Sequence, residues 1–391
     1  MKSKKAGEKM LYFDNAATTF PKPFAVKKAV EEAFCSFGAN PGRSGYKMGM
    51  ETSRKVYETR EKAADFFGLS EPENLVFTKN CTEALNIVLM SIGEEGGHFI
   101  ISDLEHNSVL RPLFELERQG KVSFSIAEVF EGEPEKTVTS FEKLIRNDTK
   151  MIVATGASNV FGIKLPIKML AKLANEYGIL FAVDMAQTAG SEHMDMEELG
   201  VDFVCAPGHK GLLGPMGTGI LAAKTPDFLK PRLFGGTGSY SLLPKQPEEL
   251  PDMLESGTLN VPGICGLSAG IEKIVSEGEG NIARREMRLA EKLYSDLSKI
   301  ENVFLFTKFP EKETHNSTIS FVLGDLSGEE TAEKLSEKGV ASRGGFHCST
   351  LAHHKMNTEK RGTCRLSIGP MNTEQEILKL IGIIHEISKN I

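Results

Sequence analysis

An α/β fold, with a largely parallel sheet between helical layers and a smaller α+β part toward the C-terminus, is predicted by three features. From about Glu73 to Ala223, short apolar runs alternate with helical patterns, the order that builds parallel sheets. Several of those runs end in a residue able to do chemistry, and in open α/β sheets ligands bind at the carboxyl ends of strands. At 391 residues the chain is also long enough for two substantial cores.

The elements follow in order. Pro23 to Phe34 reads as an amphipathic helix with Phe24, Val26, Ala29, Val30, Ala33 and Phe34 on its apolar side. Val76-Phe77-Thr78 is a short strand, followed by the turn Lys79-Asn80-Cys81 and a helix beginning near Thr82. The run from Ile100 ends at His106, the run from Ile152 ends at Asn159, and Gly178 to Asp184 ends in a carboxylate. Val201 to Cys205 leads into the glycine-rich loop Gly208-His209-Lys210-Gly211. Gly235 to Ser239 and Pro244 to Pro251 mark irregular connections, and a long helix is expected from about Pro262. Ser317–Leu323, Glu329–Lys338, Gly339–Arg343 and Thr363–Ile368 read as strand, helix, strand, strand. These segments predict an N-terminal segment over 1–22, a large domain over 23–261 and a small domain over 262–391.

Lys210 is the most informative residue. A lysine amine becomes nucleophilic when desolvated or crowded by other cations, and Lys210 sits beside His209 in a glycine-rich turn. Alone it reads as a solvated turn residue, as most lysines are surface residues, and Asp184 alone fits a helix cap. Together, a strand-end acid 26 residues before a loop lysine suits pyridoxal 5'-phosphate, whose aldehyde forms an imine with lysine and whose ring nitrogen is kept protonated by a carboxylate. The helix start at Thr82 offers free amides, a favourable dipole and a hydroxyl to the phosphate, although a plain N-cap has the same sequence. His106 is placed either to stack on a flat ring or to sit in a solvated loop.

These motifs resemble the class V aminotransferase superfamily, and within it the SUF-type cysteine desulfurases and selenocysteine lyases. The resemblance runs from Tyr12-Phe-Asp-Asn-Ala-Ala-Thr-Thr19 through Asp184-Met-Ala-Gln187, Gly208-His-Lys210 and the Arg343 to Arg365 region to Ile377. It implies a fold type I enzyme with a mostly parallel seven-stranded sheet. It further implies that Lys210 carries the cofactor, Asp184 pairs with the pyridine nitrogen, Gln187 reaches the ring hydroxyl and His106 stacks on the ring. Cys81, Thr82 and His209 would border or hold the phosphate. Asn159 would serve the ring hydroxyl and the substrate carboxylate, which Arg365 would clamp through its two parallel donors, with Arg343 nearby. Thr258, in Glu255-Ser-Gly-Thr258, matches a threonine that reaches the phosphate of a second subunit, which implies a homodimer with shared sites.

Cys348, in Arg343-Gly-Gly-Phe-His-Cys348, matches the desulfurase nucleophile, and its neighbours His347 and Arg343 are expected to favour the attacking thiolate. Of the remaining five cysteines, Cys205 and Cys265 read as buried hydrophobes, Cys35 as packed at a helix end, Cys81 as lending its backbone to the phosphate turn, and Cys364 as the neighbour of the clamp. His347, Cys348, His353 and His354 lack the second ligand pair of a zinc site, so no metal is expected. The stretch 353–362 reads as a loop joining the nucleophile to the Arg365 strand. Pro207 and the Asn80-Cys81-Thr82 turn depart from the family pattern, and the proline offers the phosphate neither hydroxyl nor N–H.

The net charge of −7, from 46 basic and 53 acidic residues, gives no global attraction to nucleic acid. The basic start from Met1 to Lys5 has no apolar core behind it, and six irregularly spaced cysteines suit a reducing cytoplasm. The implied reaction takes L-cysteine to L-alanine, leaving a persulfide on Cys348 for iron–sulfur or thio-cofactor assembly through a sulfur-acceptor protein. Two other readings share the motifs: a selenocysteine lyase or another class V lyase or aminotransferase, and a non-catalytic sulfur carrier.

Overall fold

The computed structural model describes residues 10–42 and 45–391, so the basic start from Met1 to Lys5 lies outside the described residues. In chain order, the first half contains β1 (Leu11–Tyr12), α1 (Phe24–Ser36), α2 (Lys47–Phe67), β2 (Leu75–Thr78), α3 (Cys81–Gly93), β3 (Gly97–Ser102), α4 (Asn107–Arg118), β4 (Val122–Ala127) and α5 (Pro134–Glu142). Then come β5 (Thr149–Thr155), α6 (Ile167–Tyr177), β6 (Leu180–Asp184), α7 (Met196–Leu199), β7 (Phe203–Pro207), β8 (Gly219–Ala223), α8 (Val261–Glu277) and α9 (Glu279–Leu297). The last are β9 (Val303–Leu305), β10 (Thr318–Leu323), α10 (Gly328–Glu337), β11 (Val340–Ala341), β12 (Arg343–Gly345), α11 (Thr350–Lys355), β13 (Thr363–Ser367) and α12 (Glu374–Ser388).

Two compact units result. The larger comprises Lys22–Ala157 and Leu165–Ile282; the smaller comprises Met1–Pro21, Ser158–Lys164 and Ala283–Ile391. The boundary expected at 262 therefore falls at 283, because α8 packs its apolar face, including Ile264 and Leu267, into the larger unit with α1 and α2. The N-terminal segment joins the smaller unit because β1 pairs in parallel with β11, Leu11 opposite Val340.

In the larger unit a seven-stranded sheet has the order β2-β8-β7-β6-β5-β3-β4. Strands β7, β6, β5, β3 and β4 are parallel, while β8 runs antiparallel between β2 and β7. Its central strands are apolar on both faces, and β7 and β8 are buried along their whole length, as helical layers on both sides require. Helices are stopped where glycine can turn left-handed: Gly68 (φ 63°) after α2 and Gly178 (φ 65°) after α6.

The smaller unit holds a four-stranded antiparallel sheet, β12-β13-β10-β9. Phe13, Leu293, Phe321, Leu366, Leu380 and Ile384 are among the buried side chains of its core. Capping boxes start α10 (Ser327 with Glu330) and α12 (Thr373 with Glu376), satisfying first-turn amides that would otherwise be orphaned.

Three local expectations are corrected. Helix α1 buries Val26 and Ala33, whereas Phe24 and Phe34 are 79% and 72% exposed; at about 100° per residue each lies well round the helix from the Val26 stripe. Cys35, on the same outer side, is exposed rather than packed. His353 and His354 lie in α11 instead of a loop, with His353 buried against Thr358.

Candidate active site

In the larger unit the predicted residues gather at the carboxyl ends of the parallel strands. Asp184 is the last residue of β6, paired with Thr155 of β5 on one side and Cys205 of β7 on the other. It is 2% exposed. Its Oδ1 accepts from the Ala186 amide at 2.8 Å and faces the Cys81 sulfur at 3.3 Å. Burial, and then the nearby Asp184 charge, push the Cys81 thiol well above its ordinary pKa, so Cys81 remains S–H and acts as a donor. Cys81 thus does more than the backbone role expected of it: it orients the carboxylate.

Cys81 opens α3, whose N-cap Asn80 accepts from the Glu83 amide at 2.9 Å. Thr82 is exposed at this helix start. Its Oγ1 lies 2.8 Å from Ser108 Oγ, which lies 2.7 Å from His106 Nδ1. His106 caps α4 just beyond β3. Ser108, which no motif singled out, therefore links the Thr82 hydroxyl to the His106 imidazole.

Lys210 and His209 follow β7, half-buried. The glycines around them are required by close backbone approach: a Cβ at Gly208 would come 2.1 Å from Thr218 Oγ1, and one at Gly211 would come 2.0 Å from the Ala189 carbonyl oxygen. Lys22 Nζ donates to the His209 carbonyl at 2.6 Å. Burial first, then the charges of Lys210 and Lys22, lower the His209 imidazole to about 4, so it is neutral at pH 7. Burial also lowers Lys22 to about 8. Sequence reasoning missed Lys22, for which the one local signal is a lysine held between Pro21 and Pro23. Gln187 lies half-buried in the turn after β6. Thr258 is exposed, with Asn40 Nδ2 3.5 Å from its hydroxyl.

Directly before His106 stands Glu105, 0% exposed and also missed. Its Oε1 accepts from Ser102 Oγ at 2.5 Å and from the Thr155 amide at 2.8 Å, while Oε2 has no hydrogen-bond partner. Burial, with the Asp184 charge adding to it, raises its carboxyl to about 8. A carboxyl raised in the fold and ordinary in the unfolded chain makes the unfolded state bind fewer protons between those pKa values, so stability falls as pH rises from about 4.5 to about 8. Glu105→Gln, neutral at every pH, is expected to flatten that part of the profile. Chemical denaturation of the cofactor-free protein across this window measures it, and identical pH slopes for the two proteins would refute the assignment.

The remaining predicted residues belong to the smaller unit. Cys348 is exposed, while His347 and Ser349 on either side are 3% and 1% exposed. His347 Nε2 lies 3.0 Å from the Thr363 carbonyl oxygen. Burial, then the Arg365 charge, lower His347 to about 2. This corrects an expectation: a neutral, buried imidazole cannot supply positive charge to the Cys348 thiolate. Arg343, half-buried at the start of β12, pairs in register with Arg365 of β13. Arg365 is 1% exposed; its Nη2 meets Asp14 Oδ1 at 2.7 Å, its Nη1 donates to the Asn159 carbonyl at 2.9 Å, and its Nε has no partner. Asp14 belongs to the Tyr12 to Thr19 motif, whose part in holding this guanidinium no spacing argument could reveal. Asn159 is buried, and its amide binds both the His347 carbonyl and the Ser349 hydroxyl.

The donor set in the larger unit fits pyridoxal phosphate chemically. It offers an amine for the aldehyde, a buried carboxylate for a ring N–H, an imidazole, and a hydroxyl at a helix N-terminus for the phosphate. No helix among the described residues is long and apolar enough to cross a membrane, and no group of three His, Cys, Asp or Glu side chains among them could hold a metal ion.

Residues 11–380 match the family model described as aminotransferase class-V. A probable cysteine desulfurase of Methanothermobacter thermautotrophicus is 33% identical, over 97% of this chain and 94% of that protein. Another probable cysteine desulfurase, from Pyrococcus abyssi, is 30% identical over 98% of this chain and 96% of that protein. Among solved structures, the apo cysteine desulfurase of Thermococcus onnurineus superposes with a TM-score of 0.90 at 31% identity, covering 98% of this chain and 95% of that one.

Proposed function

Because the chain belongs to the class-V aminotransferase family, matched over residues 11–380, we propose that it is a pyridoxal-phosphate-dependent cysteine desulfurase converting L-cysteine to L-alanine. The single observation that carries this reading within the family is Cys348, exposed between two buried neighbours. The alignment with cysteine desulfurases over nearly the full chain supports it.

When bound, the cofactor supplies an electron sink that makes the substrate α-proton acidic and the β-carbon to sulfur bond labile. Lys210 would hold the cofactor through its amine, and the same amine is the group placed to take the substrate α-proton. Asp184, oriented through Oδ1 by Ala186 and Cys81, would hold the ring N–H. His106 would stack on the ring, Thr82, His209 and the first-turn amides of α3 would hold the phosphate, and Gln187 would serve the ring hydroxyl. Arg365, with Arg343 nearby, receives the substrate carboxylate. Cys348 attacks the substrate sulfur as thiolate. One carbon–sulfur bond breaks, one sulfur–sulfur bond forms, and a proton on the former β-carbon completes alanine.

Alanine release from L-cysteine by the cofactor-reconstituted protein, with a thiol reductant present, tests the reading. Wild type is expected to release alanine and Cys348→Ala to release none, with cofactor absorbance unchanged between them. Failure of the wild type to release alanine despite bound cofactor would reject it.

The same reading takes the protein to be a homodimer in a reducing cytoplasm, passing its persulfide to an acceptor protein for iron–sulfur or thio-cofactor assembly. Thr258 serves the phosphate of the second subunit. Support comes from the exposed apolar side chains Met50, Phe234 and Leu242, which are 62%, 72% and 99% exposed on the single chain.

A further inference from the structure

Cys348 is held in an unusual backbone. His347 and Cys348 are consecutive non-glycine residues with φ of 51° and 59°, in a region that costs most side chains free energy and persists only where neighbours enforce it. Asn159 contributes on both sides of the cysteine. Asn159 Nδ2 donates to the His347 carbonyl at 2.8 Å, and Asn159 Oδ1 accepts from Ser349 Oγ at 2.5 Å. The amide thus grips the chain on both sides of the cysteine. Asn159 is itself fixed, since Arg365 Nη1 donates to its carbonyl at 2.9 Å. The Ser349 amide closes the turn onto the Phe346 carbonyl at 3.0 Å. His347 and Ser349 are drawn inward, and the residue between them is left pointing out.

We propose that Asn159 and Ser349 form a clamp that positions Cys348 for sulfur transfer, with Asn159 anchored by the same arginine that the proposed function assigns to the substrate carboxylate. This rests on the desulfurase reading for the reaction, though not for the geometry. Ser349 is a positioning residue in it, acting through Asn159 and the backbone.

Ser349→Ala removes one arm of the clamp, and Ser349→Thr keeps the hydroxyl. Misplacing a reacting group by an ångström can cost up to about 100-fold in rate. The expected result for Ser349→Ala in the reconstituted enzyme is a fall in kcat for alanine formation of about 10- to 100-fold, with KM for L-cysteine unchanged and Ser349→Thr close to wild type. A purely structural serine would not divide kcat from KM in this way. In the cofactor-free protein, hydrogen exchange at the amides of 346–350 is expected to quicken about tenfold in Ser349→Ala and in Asn159→Ala, with β6 unaffected. Unchanged exchange in both variants overturns the clamp. So does a Ser349→Ala enzyme with wild-type kcat, or one whose loss lies wholly in KM. Should wild type form no alanine, the desulfurase reading fails separately, and the clamp stands or falls on exchange alone.

Discussion

Lys210→Ala is expected to lose the visible absorbance of lysine-bound cofactor and to lower alanine formation by at least about 10²- to 10⁴-fold, the range of a positioned proton-transfer group. Lys22, the other half-buried lysine nearby, has its ammonium committed to the His209 carbonyl at 2.6 Å. Its charge also helps keep His209 neutral. Lys210→Arg is expected to fail equally, since a guanidinium neither forms the imine nor gives up its proton at neutral pH. Absorbance spectra of the reconstituted variants, followed by single-turnover alanine assays, check this. Wild-type turnover in Lys210→Ala would remove the lysine from the chemistry.

Glu255→Ala is expected to cost about 3–5 kcal/mol of stability, the penalty for stranding a buried charge. Arg60 and Glu255 are each 5% exposed in their side chains and joined by two hydrogen bonds of 2.8 Å. Arg60 also donates to the Leu75 carbonyl and lies 4.7 Å from the centre of the Phe77 ring, while Glu255 accepts from the Phe77 amide at 2.7 Å. Removing the carboxylate therefore leaves both a cation and an amide unsatisfied. The double variant Arg60→Met with Glu255→Leu removes both charges and is expected to recover most of the loss. Urea denaturation of wild type, each single variant and the double variant closes the cycle, and additive losses would refute the coupling. The pair ties α2 and β2, which leads into the Asn80-Cys81-Thr82 turn, to the segment that carries Thr258 three residues later; under the proposed function, cofactor affinity is expected to weaken in Glu255→Ala beyond what global stability explains.

Much of the larger unit was legible because its signals are local. An apolar run ending in Asp184 must be a buried strand with its acid at the carboxyl end, and a glycine-rich turn around Lys210 must bring backbones close, as Gly208 and Gly211 do. Phe24 and Phe34 misled for the opposite reason. Hydrophobicity in a helix says that a residue prefers cover, while the face that receives it is chosen by the partner; α1 packs on α8, and its buried residues are Val26 and Ala33.

The sequence by itself determined the α/β class and the largely parallel sheet, since both depend on residue type and local pattern; Asp184 with Lys210 suggested cofactor chemistry, and Cys348 was singled out through the family resemblance. Tertiary structure alone decided what those residues experience. Glu105 is an acid raised to about 8 because β5 and Asp184 enclose it, and His347 is neutral because it is buried near Arg365. Cys81 is a donor because it faces Asp184, a residue 103 positions away in the chain. Ser349 reaches Asn159 across 190 positions. Desolvation, charge proximity and hydrogen-bond partners depend on distance in space, which folding sets and linear spacing does not encode.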